Sequence, residues 1–215
     1  MIDHPAPDVK RKRAYDASRR QEQARRSHNR IIETAERMFL RDGYMETTVH
    51  AIAATAGVSV DTIYKSFGGK PGLIRAIRDR ALEGEGPIPA ERRSDEVQAR
   101  ETNPHAIIRA WGAFVTELAP RGAPIMLLIR DAATDPDVRA LRDELDADRH
   151  KRMTDNARRL KDAGHLRPGL SLAQAADVLW TYSSAELYEL LVIRRRWTPQ
   201  RYGKFVTEAM IKALL

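Results

Sequence analysis

One stretch, residues 48–65, decides the fold and reads Thr48-Val49-His50-Ala51-Ile52-Ala53-Ala54-Thr55-Ala56-Gly57-Val58-Ser59-Val60-Asp61-Thr62-Ile63-Tyr64-Lys65. Ala53 supplies the small side chain that two short helices need where they cross at a steep angle. Gly57 tolerates the positive φ that the turn between these helices requires. Ile63 returns a buried aliphatic side chain from the second helix. This pattern predicts a helix-turn-helix, in which the second helix enters the major groove of DNA.

The polar residues in and beside this stretch predict a DNA interface. The second helix begins at Ser59, and its first turn faces base edges in this motif. Thr48 is predicted at an N-cap, and Lys70 at the start of the next helix, where hydroxyl, ammonium and helix amides suit phosphates. The predicted DNA-binding residues are Thr48, Ser59, Val60, Asp61, Thr62, Tyr64, Lys65 and Lys70. A purely structural interpretation stays open for three of them: capping for Thr48, helix-end electrostatics for Asp61 and core packing for Tyr64.

Helical periodicity continues on both sides of the motif. Before it, apolar residues recur on one helical face from about Ser27 until Gly43 ends the helix: Ile31, Ile32, Ala35, Met38 and Phe39. After it, Pro71 fits the first turn of a fourth helix, where its missing N–H is harmless. Residues 27–82 are therefore predicted to form four helices, of which the second and third are the helix-turn-helix.

The positive charge of the chain is concentrated in its first part. The net charge is +7, and residues 1–82 hold 16 Lys and Arg against 10 Asp and Glu. Residues 1–26 are polar and Arg-rich, with the run Lys10-Arg11-Lys12-Arg13. They are predicted to form a basic, flexible arm that lies along phosphates or enters a minor groove. A solvated tail without a DNA contact is the alternative.

Residues 27–75 resemble the N-terminal domain of TetR-type transcriptional regulators. The resemblance is carried by Arg30-Ile31-Ile32, Ala35, Phe39, Gly43-Tyr44, Thr47-Thr48, Ile52-Ala53, Ala56-Gly57-Val58-Ser59, Thr62-Ile63-Tyr64, Phe67 and Lys70. Gly69 replaces the Ser, Asn or Asp usual before that Lys, which affects the side-chain cap and not the fold. The resemblance implies that residues 27–82 are a three-helix DNA-binding domain with a fourth helix connecting it to a helical effector domain. It also implies a homodimer and, usually, repression relieved by a small molecule. The implied DNA partner is a double-stranded, near-palindromic operator.

The second part of the chain is also predicted to be helical. Gly and Pro in residues 83–89 mark a linker, and residues 90–103 are charged, so 83–103 is interpreted as a connector. The helices predicted after it span about 104–118, 124–133, 137–163, 171–193 and 199–214. Because no segment alternates as a strand does, the fold class is all-α, with residues 104–215 as the effector and dimerisation domain.

The last two predicted helices carry apolar stripes that are candidates for a dimer interface. Both stripes mix small and large side chains, which allows close packing between helices. The resemblance implies a four-helix interface built from these helices of two subunits. The stripes are Leu172, Ala175, Ala176, Leu179, Ser183, Leu187, Leu190 and Leu191, and then Tyr202, Phe205, Val206, Ala209, Met210 and Ala213. Packing against the core of the same subunit is the alternative.

A small-molecule site is predicted in the same domain, because apolar walls with a few polar groups are what such a site needs. Its candidate residues are Trp111, Phe114, Met126, Leu127, Arg130, Trp180, Tyr182 and Glu186. Ordinary core packing is the alternative for the aromatic and Met residues. Arg130 and Glu186 contact a ligand, pair with each other or reach solvent, and the sequence does not choose among these.

Several classes of function find no support in the sequence. The chain has no Cys, and its six His are scattered, so we expect no metal site. No nucleophile with a base and no phosphate-binding loop is present, so we expect neither catalytic residues nor a cofactor. No apolar run is long enough for a membrane span and no secretory signal is evident, so the expected location is the cytoplasm. The alternatives to a ligand-controlled regulator are a constitutive architectural DNA-binding protein and, less favoured, an enzyme using the C-terminal domain.

Overall fold

The computed structural model describes residues 9–84 and 88–215, and within them every regular element is helical. The helices are α1 (Val9–Asp42), α2 (Val49–Ala56), α3 (Val60–Phe67), α4 (Lys70–Glu83), α5 (Ala90–Arg100), α6 (Pro104–Asp131), α7 (Pro136–Asp162), α8 (Leu172–Tyr182), α9 (Ala185–Tyr188), a π-helix (Glu189–Arg194) and α10 (Pro199–Leu214). The all-α fold class is confirmed. Residues 1–8 of the predicted arm and 85–87 of the predicted linker lie outside the described residues.

The N-terminal helices form the predicted helix-turn-helix. Ala53 and Ile63 are buried in one cluster with α1 and α4. Gly57 ends α2 in the left-handed region, at φ 65°, a conformation that glycine adopts without strain. Thr48 and Ser59 cap α2 and α3, each accepting a backbone N–H with its side chain. The two helices that the motif requires are therefore held at their starts by local hydrogen bonds.

The first helix is much longer than predicted. It begins at Val9, so the expected start at Ser27 is wrong, and residues 9–26 extend the same helix. Arg, Lys, Gln, Glu and Ala all favour helix without needing an apolar face. The Glu22 carboxylate also accepts from Arg25 at 3.0 Å and from Arg26 at 2.9 Å, three and four residues later. Hydrophobic periodicity cannot detect such a segment.

Two other predicted boundaries are wrong. The connector at 90–103 contains α5, whose Arg93 pairs with Glu117 of α6 at 2.6 Å. The helices predicted at 104–118 and 124–133 are one helix, α6, which continues through Pro120 and Pro124. An interior proline removes one backbone hydrogen bond, but α6 packs against α4, α9 and α10 along its length. These tertiary contacts compensate for the missing bonds.

The helix predicted at 171–193 is divided into three elements, so that prediction is wrong as well. The Ser184 side chain accepts the Leu187 N–H and starts α9 as an N-cap, while the Ser183 hydroxyl donates to the Trp180 carbonyl. These local bonds compete with a continuous helix. After Tyr188 the backbone continues as a π-helix, an element that occurs often at functional sites.

Helix α6 links two apolar cores. Its C-terminal part packs with α1–α4, and its N-terminal part packs with α7, α8 and α10. By length and composition alone, α6 also meets the criteria for a membrane-spanning helix. The buried core helices of soluble proteins meet the same criteria. In this fold it is the helix shared by the helix-turn-helix and the C-terminal helices.

Helices α6 and α10 approach each other closely at two glycines. A Cβ added to Gly112 would lie 1.7 Å from Thr207 Oγ1, and one added to Gly203 would lie 1.7 Å from Thr116 Oγ1. Each Thr hydroxyl donates to the glycine carbonyl four residues earlier on its own helix, at 2.8 Å in α6 and 2.7 Å in α10. The contact is therefore reciprocal, with a glycine and a threonine from each helix.

Candidate functional site

The outward side of α3 is the first part of the candidate site. Ile63 is fully buried, whereas Tyr64 is 54% exposed. Asp61 and Lys65 are also exposed, at the start and in the last turn of the helix. Exposed side chains flank the buried Ile63 because neighbouring residues of a helix point to different sides. It leaves a short helix with a free outer surface, as reading of a DNA groove requires.

Not every predicted residue of α3 is free to contact DNA. Ser59 accepts the Thr62 N–H at 3.1 Å, and the two hydroxyls lie 2.8 Å apart, so both take part in the cap. Val60 is half-buried against the N-terminal core. Thr48 accepts the Ala51 N–H at 3.1 Å, which leaves its hydroxyl hydrogen available to an anion.

The N-termini of α2 and α4 border one open depression of about 450 Å³. Thr48, Tyr64 and Lys70 contribute to its wall together with His50, which the sequence analysis missed. His50 is exposed in the first turn of α2. Its position two residues after the N-cap Thr48 is the sequence feature that could have predicted its place at the helix start. Amide N–H groups at two helix starts, with hydroxyl and ammonium groups beside them, suit a phosphate.

Lys70 is held inside the protein more than the sequence indicates. Its ammonium group donates to the Tyr44 carbonyl at 2.7 Å and lies 4.3 Å from the centre of the Tyr44 ring. Partial burial lowers the pKa of Lys70. Gly69 provides no side-chain cap to α4, as its identity predicts. The Lys70 ammonium group also donates to the Met45 carbonyl at 3.5 Å. Lys70 therefore ties α4 to the turn after α1 and keeps one donor for the depression that it lines.

The eight predicted ligand residues lie in different surroundings, and their role in ligand binding stays a prediction. Trp111 belongs to the buried C-terminal cluster, whereas Met126 packs against the N-terminal one. Phe114 lies 5.0 Å from the Arg93 guanidinium, and Tyr182 packs edge-on against Phe205. Leu127 is buried and Glu186 is exposed. Two open depressions of the described residues lie elsewhere, one at α2 and α4 and the other along α5.

Arg130 pairs with Glu189 and not with Glu186, the carboxylate considered from the sequence. Its guanidinium contacts Glu189 at 2.5 Å and Asp131 at 2.8 Å, and Glu189 also accepts from Arg194 at 2.7 Å. Hydrogen bonds from Arg130 and Arg194 lower the pKa of Glu189 to about 2. The pairing of Arg130 with Glu186 is wrong, because the partner is one helical turn later. These bonds tie the π-helix to α6.

Trp180 lies beside a residue that the sequence analysis did not consider. The Arg149 guanidinium of α7 is 4.7 Å from the Trp180 ring centre and donates to the Trp180 carbonyl and to Ser183 Oγ. His150 of the same helix contacts Trp180 edge-on and Asp177 at 3.7 Å. No group of three metal-ligating side chains occurs among the described residues.

Ion pairs connect the helix-turn-helix to the C-terminal helices through α4. Arg75 donates to Glu144 of α7 at 2.5 Å, and Arg78 donates to Asp148 at 3.0 Å. Arg78 is the more buried of the two arginines. Because Asp148 directly precedes Arg149 in α7, a movement of α7 at Arg149 would also act on α4.

Comparison with known proteins supports a DNA-binding protein. Residues 31–77 match the family model of bacterial regulatory proteins, tetR family. The chain is 28% identical over 167 residues to the HTH-type transcriptional regulator TtgR of Pseudomonas putida, covering 76% of this chain and 80% of TtgR. It is 34% identical over 64 residues to the uncharacterized HTH-type transcriptional regulator YvkB of Bacillus subtilis, which is 30% of this chain and 34% of YvkB.

Solved structures show the same fold at low identity. The SmeT–triclosan complex has a TM-score of 0.69 and 21% identity, over 88% of this chain and 91% of that one. The transcriptional regulator FadR from Bacillus subtilis in complex with stearoyl-CoA has a TM-score of 0.68 and 18% identity, over 87% of this chain and all of that one. Two neighbours of this fold were therefore solved with small molecules bound.

Proposed function

We propose that this chain is a TetR-type transcriptional regulator, and that it is a homodimeric repressor that binds a near-palindromic operator and leaves it when a small molecule binds the C-terminal domain. One observation carries the DNA-binding part: α3 buries Ile63 and exposes Asp61, Tyr64 and Lys65 beside a depression suited to phosphates. Two structural neighbours, SmeT and FadR from Bacillus subtilis, were solved in complexes with triclosan and stearoyl-CoA, which supports a small-molecule effector. The proposed action on operators implies a cytoplasmic location.

The proposed interface divides its contacts between bases and phosphates. Asp61 and the other residues of the first turn of α3 face base edges, while Thr48, Tyr64, Lys65 and Lys70 face the phosphate backbone. The helical residues 9–26 add positive charge along the flanking DNA. Two α3 helices enter successive major grooves when half-sites are one helical turn apart, about 34–36 Å.

Selection of bound duplexes from random DNA tests the proposal. We expect a preferred sequence with two-fold symmetry, because a two-fold dimer presents the same surface twice. A preferred site without symmetry, or no preference at all, would contradict it. Repeating the binding measurement with candidate small molecules then separates a controlled repressor from a constitutive DNA-binding protein, whose affinity no molecule alters.

Lys65→Ala is expected to weaken DNA binding equally for all sequences. Lys65 is exposed near the C-terminal end of α3, and a phosphate contact carries no base information. The slope of log affinity against log salt should fall by about 2 per dimer, since each lost phosphate contact reduces it by about 1. Lys161→Ala is the control, because Lys161 is an exposed lysine of α7 and its loss removes the same charge. An unchanged slope for Lys65→Ala would place the phosphate contacts elsewhere.

A second subunit is proposed to cover the exposed apolar side chains of the last helices. Leu190 and Ile193 of the π-helix and Phe205 of α10 are 51%, 47% and 39% exposed. Ala175 and Ala176 of the first predicted stripe are instead buried within the subunit, as are Tyr202, Val206 and Met210 of the second. These five residues therefore pack in the core of their own subunit, which was the alternative considered for both stripes. The proposed dimer interface contains fewer residues than the two stripes.

Leu190→Lys is expected to shift the dimer towards monomers. Burial of a leucine contributes about 1.5–3 kcal/mol, and a two-fold interface loses it twice, so the dissociation constant should rise by about a hundredfold or more. Analytical ultracentrifugation measures the change. Leu40→Lys is the control, since Leu40 is a 46% exposed leucine of α1. A similar dissociation in both variants would show that the effect is not specific to the last helices.

A further inference from the structure

Helix α3 cannot change its position without α4. A Cβ on Gly72, near the start of α4, would lie 1.5 Å from the carbonyl oxygen of Phe67 at the end of α3, so the two helix backbones touch at this point. Ile63 of α3 is buried in one cluster with Leu73 and Ile77 of α4 and with α1. Helices α1–α4 therefore pack as one unit, here called the head. Contacts that hold α4 against the rest of the chain also hold α3.

Two ion pairs on successive helical turns join the head to α7. Arg75 and Glu144 make two parallel hydrogen bonds, from Nε to Oε1 at 2.7 Å and from Nη2 to Oε2 at 2.5 Å. Arg78, three residues after Arg75, donates to Asp148, four residues after Glu144, at 3.0 Å. Single exposed ion pairs usually contribute little, and bidentate geometry and networks are the exceptions. Both exceptions apply to these two pairs.

The apolar contacts between the head and α7 do not fix how far one lies along the other. Val138, Leu141 and Leu145 of α7 are buried in the same cluster as the head. Burial of apolar surface is favourable but not directional, so it holds the two together without selecting one position. A bidentate pair has a defined geometry. The two ion pairs therefore select the position of α4 along α7.

The sequence of α7 disfavours the neighbouring positions. If α4 lay one turn further along α7, Arg78 would meet Arg152, which has the same charge. If α4 lay one turn in the other direction, Arg75 would meet the uncharged Ala140. Among these three positions, the observed one alone gives each arginine a carboxylate. Like charges repel and unpaired charges gain nothing, so a slip in either direction costs free energy.

We propose that Arg75 and Arg78 are positioning residues that determine which separation of half-sites the dimer accepts. The inference rests on the proposed function, since it concerns the operator of a two-fold dimer. A slip of one helical turn displaces a head by about 5.4 Å, and one base-pair step is about 3.4 Å. Displacements perpendicular to the two-fold axis add in the two subunits. Even a partial slip therefore changes the separation of the two α3 helices by a base pair.

Spacer variants of the selected operator test the proposal. These duplexes keep both half-sites and lengthen or shorten the segment between them by one or two base pairs, and a further duplex carries one half-site. Fluorescence anisotropy measures the affinity of the full-length dimer for each duplex. For Arg75→Glu, which faces Glu144 with a like charge in both subunits, we expect the affinity ratio between the preferred and the adjacent spacing to fall about tenfold. Binding to the single half-site should change no more than in the control variant.

Three further variants separate positioning from other effects of charge. Glu144→Arg breaks the same pair from α7 with the opposite change of charge, so it should lower the ratio as Arg75→Glu does. The two substitutions together restore an ion pair and should restore the ratio. Arg80→Glu is the control, because Arg80 pairs with Glu33 of α1, inside the head, at 2.8 Å. It makes the same change of charge in α4 and should leave the ratio unchanged.

The outcomes distinguish this inference from the proposed function. An unchanged ratio in Arg75→Glu and Glu144→Arg would overturn the inference, as would an equal fall in Arg80→Glu or a ratio that the double variant does not restore. Melting temperatures of the same samples show whether each variant is folded. A wild type that selects no symmetric duplex would instead contradict the proposed function.

Discussion

Gly72→Ala is expected to weaken operator binding strongly, although residue 72 makes no predicted DNA contact. A Cβ at this position would lie 1.5 Å from the backbone carbonyl oxygen of Phe67 and 2.6 Å from its carbon. Backbone atoms cannot rotate away as a side chain does, so the junction of α3 and α4 has to move. The free energy of unfolding should fall by about 1–3 kcal/mol, the usual effect of overpacking.

The effect on DNA binding should exceed the effect on stability. A displaced α3 loses base contacts in both subunits, and one mismatched base pair already weakens binding by about 1–3 kcal/mol. We therefore expect affinity for the selected operator to fall about a hundredfold or more, measured by fluorescence anisotropy. Gly122→Ala is the control, since its Cβ meets nothing within 4 Å. Normal operator binding by Gly72→Ala would show that the α3–α4 junction tolerates displacement.

Gly203→Ala is expected to destabilise the C-terminal domain by a similar amount, about 1–3 kcal/mol, because it overpacks a helix crossing. The new Cβ would lie 1.7 Å from Thr116 Oγ1 and 3.0 Å from Thr116 Cβ. Rotation of the Thr116 side chain removes the first clash and not the second, and it also breaks the hydrogen bond to the Gly112 carbonyl. Helices α6 and α10 must then separate.

Urea denaturation of Gly203→Ala, of Gly112→Ala and of the double variant measures this effect. Since both glycines lie at one crossing, we expect the double variant to lose less stability than the sum of the single variants. Gly122→Ala again serves as the control, in α6 itself, where alanine should stabilise the helix by up to about 1 kcal/mol. Additive losses would indicate that the two contacts are independent.

The helix-turn-helix could be predicted from sequence because its determinants are local. Gly57, Ser59 and Thr48 act on backbone groups within a few residues of themselves, and Ile63 has a helical position relative to its neighbours. The predicted helix-turn-helix is confirmed: α2 begins directly after Thr48 and ends before Gly57, and α3 begins directly after Ser59. The DNA-binding assignments of individual side chains stay predictions, since base and phosphate contacts depend on the partner.

The missed boundaries share a different cause. Helix α6 continues through Pro120 and Pro124 because other helices pack along it, and α8 ends because Ser183 and Ser184 find bonding partners. Local propensity predicts the opposite in both places. The candidate ligand site was distributed over two cores for a similar reason: Trp111 and Met126 lie on the same helix, which passes through both.

The sequence by itself determined the helix-turn-helix, its caps and the outward face of α3, because hydrogen bonds between near neighbours and helical spacing suffice for these. Only the tertiary structure decided that Gly112 and Gly203 meet, that Arg130 binds Glu189, and that Arg149 packs against the Trp180 ring. Such pairs are distant in the chain, and no periodicity relates them. Their contact depends on the crossing of whole helices, which is set by packing against every other helix at once.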